Sequence, residues 1–331
     1  MSNFEKNVLR DQIRMLEKSA RSLEPDAARR QEWNDESTRF ASDFIESLPA
    51  GKAFQSFGSL KGSLELHLES EPAQTMAECL EELRHGVLSK GLNPASGGHL
   101  GYIPGGGIYG GVLGDYLAAL TNQYAGIFFG GPGAVKIENE LIRWLCRLFG
   151  FPATSHGNLA SGGSIANLIA LVTAREARHI QSADIPRLCI YLTGQVHHCI
   201  HKAIRISGLG ESQVRTIPTD SAYRMDPQAL QRQIRQDADA GLQPFLVVAS
   251  AGTTDTGAID PLDRIADIAE ASGLWFHVDA AYGGFFILCE DPETTGDYRD
   301  ALKGIERSDS LVVDPHKGLF LSYGLGAVLI K

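Results

Sequence analysis

The segment PFLVVASAGTTDTGAIDPLDRIADIAEASGLWFHVDAA (244–281) contains two apolar runs separated by a stretch of helical periodicity. The runs at 244–252 and 274–281 are short and almost continuously apolar, which is typical of strands buried on both faces. Residues 261–272 between them repeat apolar side chains at helical spacing. This order predicts two strands of one sheet that are joined by a helix.

The same alternation continues on both sides of this segment. Strands are predicted at 187–193, 214–219 and 310–315, and helices at 134–150, 164–180, 196–207 and 226–240. We therefore predict an α/β fold with an open, mostly parallel sheet that is covered by helices on both faces. Ligands of such sheets bind beyond the carboxyl ends of the strands, so we expect the chemistry there.

The N-terminal part has a different pattern. Residues 3–48 predict two or three amphipathic helices, the first with a stripe of Phe4, Val8, Ile13 and Leu16. This stripe has no apolar partner in its own segment, so we expect it to pack on another domain or another subunit. Residues 50–64 are expected to form a loop.

Composition and charge exclude several classes of protein. The 331 residues are 43% hydrophobic and 21% charged, as in ordinary soluble globular proteins. The net charge of −10 argues against nucleic-acid binding. No apolar run approaches the roughly 20 residues that span a bilayer, and the first residues lack a signal-peptide core. We therefore expect a cytoplasmic protein with no membrane partner, whose five cysteines are reduced.

Lys317 and Asp279 stand at two of the predicted strand ends. Lys317 lies among apolar residues, where a charged ammonium is costly to desolvate, and a neutral lysine amine forms a Schiff base with an aldehyde. An ordinary surface lysine is the alternative. Asp279 interrupts an apolar strand, where a carboxylate needs a partner. A protonated pyridine nitrogen is one suitable partner, and backbone amides are the alternative.

A third feature is SGGS (161–164), which opens a predicted helix. The free amides and the positive end of a helix dipole suit a phosphate group, and Ser164 adds a hydroxyl donor. Capping of the helix by serine is the competing interpretation, because serine is common at that position. Taken alone, the motif does not decide between the two.

Two other patterns are weaker. His197 and His201 have the spacing of two metal ligands on one helix face, with Cys199 nearby, but no second ligand cluster follows at a recognisable spacing. We therefore predict no metal site. Gly105, Gly107 and Gly110 match the dinucleotide-binding pattern GxGxxG, but no apolar strand precedes them. We expect a mobile or ligand-facing glycine loop there instead.

Five motifs in order resemble the group II pyridoxal-phosphate decarboxylases, which include aromatic-amino-acid, glutamate, histidine and cysteine-sulfinate decarboxylases. The motifs are SGGSIAN (161–167), TGQVHHCIHKA (193–203), ASAGTTDTGAIDP (249–261), FHVDAAYGG (276–284) and DSLVVDPHKG (309–318). The resemblance covers roughly residues 70–331. It implies pyridoxal 5'-phosphate as the cofactor and decarboxylation of an L-amino acid to an amine and CO2, which is carboxy-lyase chemistry.

The resemblance also implies roles for single residues. Lys317 would carry the cofactor, and Asp279 would pair with its pyridine nitrogen. His197 would stack on one face of the ring, and Ala281 would lie against the other. These four residues surround the ring, and Lys317, His197 and Asp279 form the predicted catalytic set.

The remaining cofactor contacts are implied in the same way. Gly163 and Ser164 would hold the phosphate, and Thr253 would lie near the ring hydroxyl. His316 would lie near the phosphate or the substrate carboxylate. Many family members carry Asn where this chain has Asp314, and an acid would repel a phosphate, so Asp314 is not included in the phosphate set.

The family fold is that of aspartate aminotransferase, or fold type I. The resemblance therefore implies an N-terminal helical segment over residues 1–90 and a cofactor-binding large domain over residues 91–331. It also implies a homodimer. The family continues into a small C-terminal domain with a tyrosine that donates a proton, and we expect that part to be missing here.

Two alternatives stay open for the activity. One is another pyridoxal-phosphate reaction at a carbon–carbon bond, such as an aldolase or lyase reaction, because these share the lysine and the aspartate. The other is a non-catalytic member that acts as an interaction protein. Substrate identity does not follow from the motifs.

Overall fold

The computed structural model of the chain describes residues 3–56, 75–103, 105–289 and 298–331. The chain divides into two compact units, Met1–Gly101 and Tyr102–Lys331. The domain boundary predicted between residues 90 and 91 stays a prediction. The loop expected at 50–64 lies outside the described residues from residue 57 onward.

The first unit is mainly helical. Its elements are α1 (Asn3–Ala20), α2 (Ala27–Ser47), β1 (Phe54–Gln55), α3 (Met76–Glu82), a π-helical turn (Leu83–Leu88) and β2 (Gly91–Leu92). Strands β1 and β2 pair antiparallel. The predicted helices at 3–48 correspond to α1 and α2, and the apolar stripe of α1 is exposed, with Phe4 77% and Leu16 64% accessible.

The second unit alternates helices and strands. Its elements are α4 (Tyr109–Thr121), α5 (Pro132–Leu148), β3 (His156–Ala160), α6 (Gly163–Ala177), β4 (Leu188–Thr193), α7 (Cys199–Ile206), β5 (Gln213–Ile217), α8 (Pro227–Asp239), β6 (Gln243–Ser250), α9 (Leu262–Ser272), β7 (Trp275–Asp279), α10 (Tyr298–Ala301), β8 (Ser310–Val313), α11 (Pro315–Gly318) and β9 (Gly326–Ile330). Each strand predicted from the sequence is present to within a few residues.

A seven-stranded sheet organises this unit, in the order β3-β9-β8-β7-β6-β4-β5. Strands β8, β7, β6, β4 and β5 pair parallel. Strand β9 runs antiparallel to both of its neighbours, β3 and β8. The predicted mostly parallel α/β sheet is therefore confirmed. Two strands of this sheet were not predicted from the sequence: β9, which is the reversed strand, and β3, the edge strand that pairs with it.

The core lies on both faces of the sheet. Helices α5, α8 and α9 contribute to a cluster on one face that includes Tyr191 and Phe276, and α6 and α7 contribute to a cluster on the other face with Ile190 and Val248. Successive side chains of a strand point to opposite faces, so strands covered on both sides are apolar at every position. This is why β4 is buried along its whole length.

Helix α4 is apolar but has no buried residue. Leu113, Tyr116, Leu117 and Leu120, which we call the α4 face, are each between 46% and 68% exposed. Because these four side chains are apolar and exposed, the α4 face is a surface of the kind that marks an interaction site.

Within the described ranges, no helix combines the length and the apolar character that crossing a membrane requires.

Candidate cofactor site

A cavity of about 270 Å³ lies at the carboxyl ends of β6, β7 and β8. This is the side of the sheet on which α/β folds bind ligands. The cavity is lined by all eight residues that the sequence analysis selected: Gly163, Ser164, His197, Thr253, Asp279, Ala281, His316 and Lys317. Residues that are up to 154 positions apart in the sequence therefore meet in one place, although their individual roles stay predictions.

Lys317 is held in the cavity by an ion pair. It lies on the short helix α11, and its Nζ atom is 2.9 Å from Oδ2 of Asp314, whose side chain is 1% exposed. The second oxygen of Asp314 has no hydrogen-bond partner among the described residues. Asp314 therefore faces the lysine amine, and its carboxylate is the counterion of that amine in this structure.

Asp279 lies at the end of β7 and is nearly buried. Its Oδ1 accepts a hydrogen bond from the backbone amide of Ala281 at 3.1 Å, and its Oδ2 accepts one from Nδ2 of Asn167 at 3.1 Å. Each carboxylate oxygen can accept more than one hydrogen bond. The carboxylate is thus fixed by two neutral donors and still has capacity for a donor in the cavity.

The first turn of α6 closes one end of the cavity. Gly162 precedes the helix with φ of 98°, a left-handed conformation that favours glycine. At Gly163 a Cβ atom would come within 2.8 Å of Oδ2 of Asp314, so any other residue would require the carboxylate or the helix start to move. The amides of Gly163 and Ser164 belong to the first turn, where no preceding helical carbonyl accepts their protons, and they are available to an anion.

His197 precedes α7 and does not lie within it, so His197 and His201 do not share a helix face as their spacing indicated. The backbone amide of Cys199 donates to Nδ1 of His197 at 3.3 Å. Burial, with a smaller contribution from His198, lowers the pKa of His197. The imidazole is therefore neutral at pH 7. Among the described residues, no group of three His, Cys, Asp or Glu side chains is arranged to hold a metal ion.

The Cys199 thiol also lines the cavity. Burial raises the pKa of Cys199 to about 11, and the nearby Asp279 carboxylate adds to this shift. A thiol with such a pKa is protonated at neutral pH and is a poor nucleophile. Cys199 therefore lines the cavity as a neutral side chain.

Thr253 borders the cavity from the loop after β6, and His316 borders it from the short helix α11. The Thr253 hydroxyl lies 2.7 Å from that of Thr256 and accepts a hydrogen bond from the Ala258 amide. Nδ1 of His316 is 2.6 Å from the Leu325 carbonyl oxygen, which can only accept, so Nδ1 carries the proton. Both side chains are thereby fixed in orientation.

The cavity also contains residues that the sequence analysis did not select. Asn167, Tyr102, Ile103 and Tyr323 are among them. Asn167 could have been noticed, because it is a polar residue on the apolar buried face of α6. The glycine loop does not line the cavity as expected. Gly105 lies against Phe320, and the adjacent Ile108 amide donates to the Phe320 carbonyl at 2.8 Å.

Comparison with known families adds an independent observation. The sequence pattern of the family described as the pyridoxal-dependent decarboxylase conserved domain matches residues 66–331. The chain belongs to the pyridoxal-dependent decarboxylase family. The resemblance stated from the five motifs is therefore confirmed, and pyridoxal phosphate is the cofactor of the family.

Individual members of the family show how much of a relative this chain represents. An aromatic-L-amino-acid decarboxylase of Bacillus atrophaeus is 40% identical over 232 residues, which make up 70% of this chain and 47% of that protein. A cysteine sulfinic acid decarboxylase of Mus musculus is 38% identical over 216 residues, or 64% of this chain and 42% of that protein. The chain spans about half the length of the curated relatives it matches.

Solved structures agree with the fold. The crystal structure of Oryza sativa TDC with PLP and tryptamine has a TM-score of 0.83 and 29% sequence identity to this chain. The matched region covers 93% of this chain and 67% of the compared chain. The predicted fold type I architecture is confirmed by this likeness.

The residues of the cavity fit pyridoxal phosphate. A lysine amine can react with its aldehyde, a carboxylate held by neutral donors can accept from its ring nitrogen, and a glycine-lined helix start can take its phosphate. The cavity of about 270 Å³ is close to the lower end of small-molecule sites, which are roughly 300–1,000 Å³. The chain therefore carries a suitable group for the aldehyde, the ring nitrogen and the phosphate of the cofactor.

Proposed function

We propose that this chain is the cofactor-binding part of an enzyme that converts an L-amino acid to the corresponding amine and CO2. The observation that carries the proposal is that the Lys317 amine, the Asp279 carboxylate and the start of α6 line one cavity. Family membership supports the same reaction class. The named relatives act on aromatic amino acids or cysteine sulfinic acid, and we propose an L-amino acid as the substrate without assigning its side chain.

We propose the following roles for the residues of this chain. Lys317 would hold the cofactor aldehyde, and Asp279 would accept a hydrogen bond from the protonated ring nitrogen. The neutral ring of His197 covers one face of the cofactor and Ala281 the other. When bound, pyridoxal phosphate draws off the electron pair that the departing CO2 leaves on the α-carbon.

The other proposed roles fix the periphery of the cofactor. The amides of Gly163 and Ser164 hold the phosphate at the helix start, and Thr253 lies at the ring hydroxyl. His316 donates through Nδ1 to Leu325, so its Nε2 is available to the phosphate or to the substrate carboxylate. The ion pair with Asp314 orients the Lys317 amine toward the cavity before the cofactor arrives.

We also propose that the protein is a cytoplasmic homodimer. The exposed stripe of α1 and the α4 face support association, because exposed apolar surfaces on two symmetry-related copies can cover each other. The five cysteines all lie within the described residues and form no disulfide there, which is compatible with a reducing compartment.

The test uses protein from the complete reading frame that contains this sequence. Purified protein is mixed with pyridoxal phosphate and a panel of L-amino acids, and release of CO2 and of aldehyde is measured separately. CO2 release with one or a few amino acids is expected. Aldehyde release without CO2 would assign a different lyase reaction, and cofactor binding without either product would assign a non-catalytic member.

Two variants connect the assay to the site. Lys317→Ala is expected to lose both CO2 release and the visible absorbance of bound cofactor. Lys303→Ala removes an exposed lysine that does not line the cavity and is expected to match the unmodified protein. Visible absorbance that persists in Lys317→Ala would contradict the role of this lysine.

A further inference from the structure

Behind Asp279, a continuous chain of hydrogen bonds runs through the buried interior. Nδ2 of Asn167 donates to Oδ2 of Asp279 at 3.1 Å, and Oδ1 of Asn167 lies 2.7 Å from Nε2 of His277. Nδ1 of His277 is 2.8 Å from the Ser310 hydroxyl, which also accepts from Nε1 of Trp275 at 2.9 Å. These side chains come from α6, β7 and β8. We call Asn167, His277, Ser310 and Trp275 the relay.

The direction of each bond in the relay follows from the chemistry of its members. An ionised carboxylate only accepts, so the NH2 group of Asn167 faces Asp279 and its carbonyl oxygen faces His277. Burial lowers the pKa of His277 to about 4, so the imidazole is neutral and has one proton, which lies on Nε2. Nδ1 of His277 then accepts from Ser310, and Ser310 accepts from the indole.

The relay fixes the Asp279 carboxylate from the side that faces away from solvent. Asn167 and Ser310 are 1% and 0% exposed, so water does not compete for their hydrogen bonds. A buried network in which every member is satisfied is rigid, and a rigid donor holds its acceptor in one orientation. The Ala281 amide fixes the other oxygen of Asp279.

The charge of the relay is as relevant as its geometry. Every member is neutral, so the relay orients Asp279 without neutralising it. An arginine or lysine at the same place would compete with a cationic ring nitrogen for the carboxylate. A neutral amide leaves the negative charge available to the cavity.

We propose that Asn167 and His277 are positioning residues that set the Asp279 carboxylate to recognise the ring nitrogen of the cofactor. The inference rests on the proposed function, which assigns that nitrogen to Asp279. It adds that selectivity for a ring nitrogen depends on the Asn167 amide on α6 and the His277 imidazole on β7. Asn167 lines the cavity but has no assigned contact with the cofactor.

The experiment compares two probes that differ at one ring atom. Pyridoxal 5'-phosphate and 1-deazapyridoxal 5'-phosphate share the aldehyde and the phosphate, but the second has C–H in place of the ring nitrogen. Dissociation constants for both are measured by titration of protein from the complete reading frame. The unmodified protein is expected to bind the natural cofactor about tenfold or more tightly, as for a charge-assisted hydrogen bond.

Asn167→Leu removes the amide at similar volume, and His277→Leu removes the donor that orients it. Both are expected to bring the ratio of dissociation constants to within about threefold of unity, while binding of the deaza probe changes little. His277→Gln retains an N–H donor toward Asn167 and is expected to restore most of the ratio. Thr173→Val, which removes a hydroxyl from α6 outside the relay, is the matched control and is expected to keep the ratio.

The outcomes separate the inference from the function that it rests on. An unmodified protein with no preference between the probes would overturn the role of Asp279 and with it the proposed function. A normal preference that persists in Asn167→Leu and His277→Leu would overturn the positioning role alone. If Asn167→Leu does not fold by circular dichroism, the contrast between His277→Leu and His277→Gln decides the question.

Discussion

Nζ of Lys317 lies 2.9 Å from Oδ2 of Asp314, three residues before it, at the floor of the cavity. The two ends of this ion pair differ in exposure, because the lysine side chain is 22% accessible and the aspartate side chain only 1%. Loss of the lysine therefore leaves a buried carboxylate without a cation. Loss of the carboxylate charge leaves an ammonium that water can still reach.

This asymmetry gives the first prediction. Lys317→Ala is expected to lower the free energy of unfolding of the cofactor-free protein by about 3 kcal/mol, because an unpaired buried charge remains. Asp314→Asn alone is expected to cost less, and the double variant is expected to recover part of the loss from Lys317→Ala. Urea denaturation of the three variants measures the coupling, with Lys303→Ala as the control. Equal stability of Lys317→Ala and Lys303→Ala would show that the pair contributes nothing.

The contact between α6 and Asp314 gives a second prediction. A Cβ atom at residue 163 would lie 2.8 Å and 3.1 Å from the two carboxylate oxygens of Asp314. Gly163→Ala is therefore expected to destabilise the protein by about 1–3 kcal/mol and to weaken binding of pyridoxal phosphate, because the helix start must move. Thermal unfolding and cofactor titration measure both effects.

Gly133→Ala is the matched control for this substitution. Gly133 also lies in the first turn of a helix, and a Cβ atom there would meet nothing within 4 Å. This variant is expected to keep the stability and the affinity of the unmodified protein. If the two alanine variants behave alike, close packing at residue 163 is not the reason for the glycine.

Much of this arrangement could be predicted from the sequence, and the limits have physical causes. Four of the five predicted strands, β4, β6, β7 and β8, are buried almost throughout, so their apolar runs are clear in the sequence. The fifth, β5, lies at the edge of the sheet, and only its last residue is buried. Strand β3 has the sequence HGNLA and pairs only at the sheet edge, and β9 reverses direction between two partners. In β3 the polar residues and glycine carry little signal of a strand. In β9 the run GAVLI is apolar and buried, but periodicity alone does not distinguish so short a run from a helix segment.

The candidate site, like the fold, could be predicted from the sequence only in part. All eight selected residues line the cavity, because strand ends of one sheet converge whatever their separation along the chain. The contact of Asp314 with Lys317 and the relay behind Asp279 were not predicted. Both depend on side-chain partners from different elements, and periodicity within one segment does not report such partners.

The burial of His277 gives a third prediction, on pH dependence. The folded protein lowers the pKa of His277 from 6.5 to about 4, so below pH 6.5 the unfolded chain binds a proton that the folded chain excludes. The stability is therefore complete above pH 6.5 and is lost as the pH falls from 6.5 toward 4. Asp279, the nearby carboxylate, opposes this lowering but does not cancel it.

His277→Gln removes the titration but retains a hydrogen-bond donor. Between pH 7 and pH 5, the unmodified protein is expected to lose about 2 kcal/mol more of its free energy of unfolding than this variant. Urea denaturation at a series of pH values measures the difference in slope. Parallel curves for the two proteins would mean that His277 is not held neutral by burial.

The α4 face gives the fourth prediction, which concerns association. Leu117 and Leu120 are 55% and 68% exposed on a helix that has no buried residue, and a charge placed there would face the partner if two copies meet on this surface. The unmodified protein is expected to have twice the mass of its chain in light scattering. Leu117→Glu with Leu120→Glu is expected to give a single chain, because an uncompensated charge in an apolar interface is costly to desolvate.

Ile206→Glu controls for the general effect of an added acid. Ile206 is a similarly exposed apolar residue, 69% accessible, at the end of α7 and outside the α4 face. This variant is expected to keep the mass of the unmodified protein. A double-charge variant that also keeps that mass would show that association uses another surface, and the exposed stripe of α1 would then be the next to be charged, through Ile13→Glu.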